Sequence, residues 1–200
     1  MVTDESQIPS NILTPNVRLI GEVSEDMARD LIACLDDASN EGEPLIVELT
    51  TLGGDAEIAR RMALELDLAR ERIHPRRIVF LGKTTIYSAG ATIMGAFPRN
   101  ARFVTEDSWL MIHGRQLDKE VSISGPMRAS LAEVEALQQQ IKLGLAIEEH
   151  GFKRLIAGSR VSLDDICSRA QHNWYLSAQE ACERGLIAST VPVPDPISVE

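Results

Sequence analysis

The chain has 200 residues, 44% of them hydrophobic, and its 30 acidic and 20 basic residues give a formal net charge of −10. This composition is that of a folded protein with one substantial core, and it excludes a largely disordered chain. The negative charge would repel a phosphate backbone, so nucleic acid is not expected as a partner.

Nothing in the sequence predicts a membrane segment or a secretory signal. No apolar run approaches the roughly 18 residues that a membrane-spanning helix needs, and the opening MVTDESQIPS lacks the basic and apolar stretches of a signal peptide. We therefore predict a cytoplasmic protein with no membrane partner.

The cysteines, Cys34, Cys167 and Cys182, are odd in number and widely spaced, which favours reduced thiols over disulfides or a zinc site. No metal or cofactor is predicted.

The two ends of the chain differ in composition from its interior. Prolines and polar residues predict a flexible segment at 1–16 and a flexible tail at 192–200, with a single domain at 17–191 between them. In chain order, periodicity predicts a strand at 17–20, a helix at 26–38, a strand at 45–49, a helix at 55–72, a strand at 78–81, a helix at 88–97, a strand at 109–113, a long helix at 125–149, a short helix at 163–169, a helix within 175–185 and a strand at 186–191. This alternation predicts an α/β fold with a mostly parallel sheet.

Three features fall at the carboxyl ends of predicted strands, where parallel sheets bind ligands. Adjacent Gly53 and Gly54 follow the second strand and can turn backbone N–H groups outward, as an oxyanion hole requires. Ser88 precedes a helix of small residues, whose positive end stabilises developing negative charge. His113 ends a short apolar strand. Each alone also fits a plain turn, an N-cap or a core histidine, but a serine and a histidine at neighbouring strand ends are the pair that nucleophilic catalysis needs.

These residues and their neighbours resemble the proteolytic subunit of Clp protease. The matching segments are Gly53-Gly54, SAGATIMGA from Ser88, SWLMIH ending at His113, YLSAQEA from Tyr175 and the GLI that begins at Gly185. Their order and spacing fit over residues 17–191, including the 25-residue step from the serine to the histidine.

The resemblance implies a crotonase-like (ClpP-like) α/β fold, serine peptidase activity on unfolded polypeptides and ring-shaped oligomers. It implies that Ser88 is the nucleophile and His113 the general base, and that the backbone amides of Gly54 and Ala89 form the oxyanion hole. The helix at 125–149 corresponds to the protruding handle helix that stacks rings in the family; an amphipathic helix packed on the sheet is the alternative.

The third catalytic position departs from the family pattern. The family has an aspartate just beyond the short helix, and an ungapped alignment puts Arg169 there, which cannot orient an imidazole as a carboxylate does. Asn173 is our first choice for this role, Asp164 and Asp165 are alternatives, and a Ser-His dyad needs none of them.

Other departures concern the partners. Thr51-Leu52 replaces the family's Ser-Pro, residues 115–124 replace a glycine-rich strand beside bound peptide, and the roughly 16 residues before the domain are shorter than the family's axial loop, which argues against docking of a Clp-type ATPase.

Three classes of function remain open from the sequence. The leading hypothesis is a Clp-like serine peptidase, with a Ser-Lys variant that uses Lys119 or Lys142 as its base. A catalytically impaired subunit that shapes a mixed ring or binds a partner is the alternative. A crotonase-type acyl-thioester enzyme would use Gly54 but leaves Ser88 and His113 unexplained.

Overall fold

The computed structural model describes residues 7–117, 119–122 and 124–193, without the side chain of Ala129. Parts of the two predicted flexible segments, residues 1–6 and 194–200, lie outside these ranges. Within the first segment, Ile12 is buried and the Asn16 side chain accepts a hydrogen bond of 2.7 Å from the N–H of Ile46. The domain boundaries at residues 17 and 191 stay predictions.

The described residues form seven strands and six α-helices. In chain order these are β1 Val17–Ile20, α1 Glu25–Asp36, β2 Leu45–Thr51, α2 Ala56–Arg72, β3 Ile78–Tyr87, α3 Ala89–Gly95, β4 Arg102–Thr105, β5 Trp109–Ile112, α4 Met127–Ile156, α5 Leu163–Ala170, β6 Trp174–Ser177, α6 Ala178–Glu183 and β7 Ser189–Val191. Within these ranges no helix is both long and apolar enough to cross a membrane.

One mostly parallel sheet organises the molecule, which confirms the predicted α/β fold. Strands β1, β2, β3, β4 and β7 lie side by side in that order and run parallel. The second half of β3 also pairs in parallel with β5, and β6 is antiparallel to β5. Because β2, β3 and β5 are parallel, their carboxyl ends meet at one edge of the sheet.

The largest differences from the sequence prediction are in three strands, each because its pattern is weak; β7 also begins three residues later than predicted, at Ser189. β3 continues to Tyr87, since its polar second half, which looks like a loop, pairs with β5. β4 was missed because it is four residues long and begins with a charged residue, Arg102. β6 runs into α6 without a break, and its residues from Tyr175 onward lie in the segment predicted to end in a helix. The alternation of buried Trp174 and Leu176 with exposed Tyr175 is too short to predict a separate strand.

Helix α4 has 30 residues and is therefore about 45 Å long. Its C-terminal end packs on the core through buried Phe152 and Leu155. Apolar side chains earlier in the helix are exposed, among them Leu131 at 58% and Leu145 at 56%. The helix therefore stands away from the core over much of its length, as predicted for a handle helix.

A buried arginine ties three segments of the fold together. Arg102 is 1% exposed, and no carboxylate pairs with it among the described residues. Its guanidinium donates instead to the backbone carbonyls of Gly95, Phe97, Arg154, Leu155 and Leu186. Four of these carbonyls lie at the C-terminal ends of α3 and α4, where the intrahelical hydrogen bonds run out; that of Arg154 also accepts from the N–H of Ala157. Burial, and then the charges of Arg154 and Arg99, lower the pKa of Arg102 to about 10, so the guanidinium is charged at neutral pH.

Candidate active site

The carboxyl ends of β2, β3 and β5 bring the predicted site residues together. Gly54 follows β2, Ser88 follows β3 and His113 follows β5, and the strand register places Tyr87 beside Met111. One cavity of about 730 Å³ is lined by Gly54, Ser88, Ala89 and His113. Residues predicted separately from three parts of the chain therefore share a single cavity.

Ser88 and His113 form a direct hydrogen-bonded pair. The Oγ of Ser88 lies 2.6 Å from Nε2 of His113, and both side chains are half-buried. The other ring nitrogen, Nδ1, lies 2.6 Å from the carbonyl oxygen of Gly114. Because a carbonyl only accepts hydrogen bonds, a neutral ring carries its proton on Nδ1 and leaves Nε2 free to accept the seryl O–H. This is the tautomer that a general base requires.

The backbone of Ser88 has an uncommon conformation. Its φ of 54° and ψ of −114° are sparsely populated by residues with a side chain, at a cost of about 1–3 kcal/mol. The N–H of Ser88 donates to the carbonyl of Met111 at 2.8 Å, which joins the turn to β5. Ser88 occupies the N-cap position of α3, yet its side chain makes no capping hydrogen bond. The simple N-cap reading therefore does not account for this serine.

Two backbone amides at the cavity donate to no acceptor among the described residues. Ala89 is the first residue of α3, so its N–H has no intrahelical acceptor. The N–H of Val23 donates to the carbonyl of Gly53, and the carbonyl of Val23 accepts from the N–H of Asp55. The N–H of Gly54, which lies between these two bonds, is left unused. In the described part of the chain neither amide donates a hydrogen bond, and both residues line the cavity. They can therefore donate to a developing oxyanion.

The two glycines are required by close backbone packing. A Cβ atom at Gly54, where φ is 144°, would lie 2.5 Å from the carbonyl oxygen of Val23, and one at Gly53 would lie 2.9 Å from Cβ of Ser88. The buried Thr51 hydroxyl holds the turn, since it accepts from the N–H of Gly53 and donates to its carbonyl, both at 3.0 Å. Sequence reasoning missed this role, although a hydroxyl residue two positions before the glycines was a usable signal.

We expect Gly90→Ala to destabilise the protein and a second substitution, Thr51→Ser, to restore part of the lost stability. A Cβ at Gly90 would lie 2.5 Å from the Thr51 methyl group, and the next neighbours are at 3.5 Å and beyond. Overpacking of this kind costs about 1–3 kcal/mol of the free energy of unfolding. Serine removes the methyl and keeps the hydroxyl that holds Gly53. Urea denaturation of both single variants and the double variant measures their free energies of unfolding. A double variant no more stable than Gly90→Ala would contradict this expectation.

No side chain occupies the third catalytic position among the described residues. Asn173, which has a positive φ of 56°, shares a second cavity with His113 but makes no hydrogen bond to it in the described part. Arg169 was expected beside His113, but it lines neither cavity; it pairs with Asp165 at 2.7 Å and lies over the Trp174 ring. Asp165 is therefore engaged elsewhere, and the Nδ1 contact goes to a backbone carbonyl.

The lysine alternatives also lie away from the serine. Lys119 contacts Gln140 at 3.4 Å, and neither Lys119 nor Lys142 lines the cavity of Ser88. A ring nitrogen is instead at hydrogen-bond distance from the seryl oxygen. The geometry therefore favours a histidine over a lysine as the base.

An ion pair connects α2 with the segment that follows β5. The guanidinium of Arg115 contacts the Glu57 carboxylate at 2.5 Å, and Arg60 contacts the same carboxylate. Burial raises the pKa of Glu57, but Arg115 and Arg60 lower it by more, so the net shift is downward. Both Glu57 and Arg115 line the cavity of Ser88, so they contribute charge to its wall.

A seryl hydroxyl on an imidazole, beside two unused backbone amides, is the arrangement of acyl-transfer sites. The family model described as Clp protease matches residues 5–193, so the chain belongs to the Clp protease family and is a peptidase of that type. It is 23% identical over 180 residues to ATP-dependent Clp protease proteolytic subunit 2 of Treponema pallidum (strain Nichols), covering 89% of this chain and 82% of that protein. The resemblance drawn from the sequence is confirmed.

Proposed function

We propose that the protein is a serine endopeptidase that hydrolyses unfolded polypeptides or short peptides through an acyl-enzyme on Ser88. The observation that carries this proposal is the 2.6 Å contact between the Ser88 hydroxyl and Nε2 of His113. The unused amides of Gly54 and Ala89 in the same cavity support it. Membership of the Clp protease family supplies the substrate class.

The residues suggest the following order of steps. His113 Nε2 takes the seryl proton as Oγ attacks the peptide carbonyl carbon, and the carbonyl oxygen becomes an oxyanion held by the Gly54 and Ala89 amides. The imidazolium then protonates the leaving amine and the C–N bond breaks, which leaves an ester on Ser88. A water molecule, deprotonated by the same imidazole, hydrolyses this ester and restores the hydroxyl.

The alternative is a catalytically impaired subunit that acts as a structural or regulatory component of a ring. It is favoured by one observation, the carbonyl in place of a carboxylate at His113 Nδ1. Robust peptide cleavage by the isolated chain would exclude it.

A fluorophosphonate probe tests the peptidase proposal directly. The purified chain is incubated with the probe, digested, and searched by mass spectrometry for the adduct. We expect the adduct on the peptide that contains Ser88 and no adduct in Ser88→Ala. An assembled wild-type chain that takes up no probe, or takes it up elsewhere, would refute the proposal.

Assembly, partners and location belong to the same proposal. We propose that the chain forms homo-oligomeric rings, for which the exposed apolar side chains of α4 offer a surface, and native mass spectrometry measures the subunit number. A cytoplasmic location is also a proposal, whereas docking of a Clp-type ATPase is not proposed. Asn173 stays the proposed side-chain partner for the third position; the alternative, Asp164, lines the same cavity as Asn173 and His113.

A further inference from the structure

The peptide group that joins Gly114 to Arg115 lies between His113 and a carboxylate of α4. Its carbonyl oxygen is 2.6 Å from His113 Nδ1, and its N–H donates to Oε2 of Glu148 at 2.5 Å. The C=O and N–H of a trans peptide point in opposite directions. One peptide group therefore connects the imidazole on one side to the Glu148 carboxylate on the other.

We propose that Glu148 is a positioning residue that supports His113 through this peptide group, in place of a directly bonded acid. The inference rests on the proposed function, since it assigns a role in the same catalytic site. A charged acceptor makes a hydrogen bond about twice as strong as a neutral one, and hydrogen bonds in a chain polarise one another. The carboxylate thereby fixes the orientation of the Gly114 carbonyl and makes it a better acceptor for Nδ1–H when the ring becomes positively charged.

The surroundings of the peptide group hold it in this orientation. The N–H of Gly114 donates to the carbonyl of Ala170 at 3.0 Å, which anchors the chain to the end of α5. A Cβ at Gly114 would lie 3.0 Å from Oε2 of Glu148, so the carboxylate fits closely over a residue without a side chain.

The charge of Glu148 is directed at the main chain. Among the described residues no lysine or arginine forms an ion pair with it, and the Arg115 side chain turns to Glu57. Glu149, next in sequence, pairs with Lys153 at 2.6 Å. These two adjacent carboxylates therefore differ in what they contact, which supplies a matched control.

The test compares Glu148→Gln, Glu148→Ala and the control Glu149→Gln. Glutamine keeps an acceptor for the Arg115 N–H but removes the charge, whereas alanine removes both. We expect Glu148→Gln to lower kcat and the rate constant of fluorophosphonate inactivation by about 5- to 20-fold, with KM little changed, and Glu148→Ala to lower both further. Glu149→Gln should stay within about twofold of wild type, because an exposed ion pair contributes little.

The outcomes separate this inference from the proposed function. A Glu148→Gln variant that reacts at the wild-type rate, or that changes KM alone, overturns the role of Glu148. An equal loss of rate in Glu149→Gln also overturns the role of Glu148, because the loss would then come from the change in net charge. If the wild-type chain is not labelled on Ser88, the proposed function itself fails. Thermal midpoints and oligomer size, measured for every variant, show that an observed loss is not unfolding.

Discussion

Replacing Ser88 with alanine is expected to lower kcat/KM for a fluorogenic peptide by about 10⁴-fold or more, because it removes the nucleophile and leaves binding and the oxyanion amides in place. The thermal midpoint should change little, since alanine keeps a Cβ at the same φ of 54°. Peptide hydrolysis and thermal unfolding of one preparation measure both effects. Activity within about tenfold of wild type would contradict the assignment of Ser88.

Ser88→Gly is the matched variant for the strained backbone. It also removes the nucleophile, so activity should be lost to the same extent. Glycine tolerates a positive φ, however, so this variant should be more stable than Ser88→Ala by about 1 kcal/mol. A glycine variant less stable than the alanine variant would show that the turn is not strained.

Arg102→Met is expected to cause the largest loss of stability. Methionine fills part of the space but donates to none of the five carbonyls that Arg102 bonds. Each buried carbonyl left without a partner costs about 1–3 kcal/mol, and partial relaxation should keep the total near 3–5 kcal/mol of the free energy of unfolding.

Arg99→Met is the control for this variant. Arg99 is exposed and, within the described ranges, donates to one carbonyl, that of Gly158, so its replacement should cost less than about 1 kcal/mol. Denaturation in urea compares the free energies of unfolding of the two variants. The protomer concentration is kept fixed because assembly stabilises the folded state. Similar losses in both variants would mean that the buried network contributes little.

The sequence predicted the α/β fold and the placement of Ser88, His113, Gly54 and Ala89 for one physical reason. Parallel strands put their carboxyl ends on one edge, so residues that follow β2, β3 and β5 must lie near one another. No knowledge of side-chain packing was needed for that step. The chemical roles of these residues stay proposals that the experiments above test.

The contacts around His113 could not be predicted in the same way. Glu148 and Arg115 are 33 residues apart, and the segment between β5 and α4 has no periodic pattern that fixes where it runs. An ungapped alignment placed Arg169 beside the histidine, whereas a helical i, i+4 ion pair with Asp165 holds it elsewhere. The role of Thr51 could not be predicted either, because its two hydrogen bonds to Gly53 depend on the turn geometry.

The buried Arg102 also bears on the rate at which the protein unfolds. Its bonds to Leu155 and Leu186 join residues 53 and 84 positions apart, so they form only after long loops have closed. We therefore expect these bonds to be largely absent from the folding transition state. Interactions of this kind slow unfolding more than they speed folding. We therefore expect the arginine at the start of β4 to lengthen the lifetime of the folded chain.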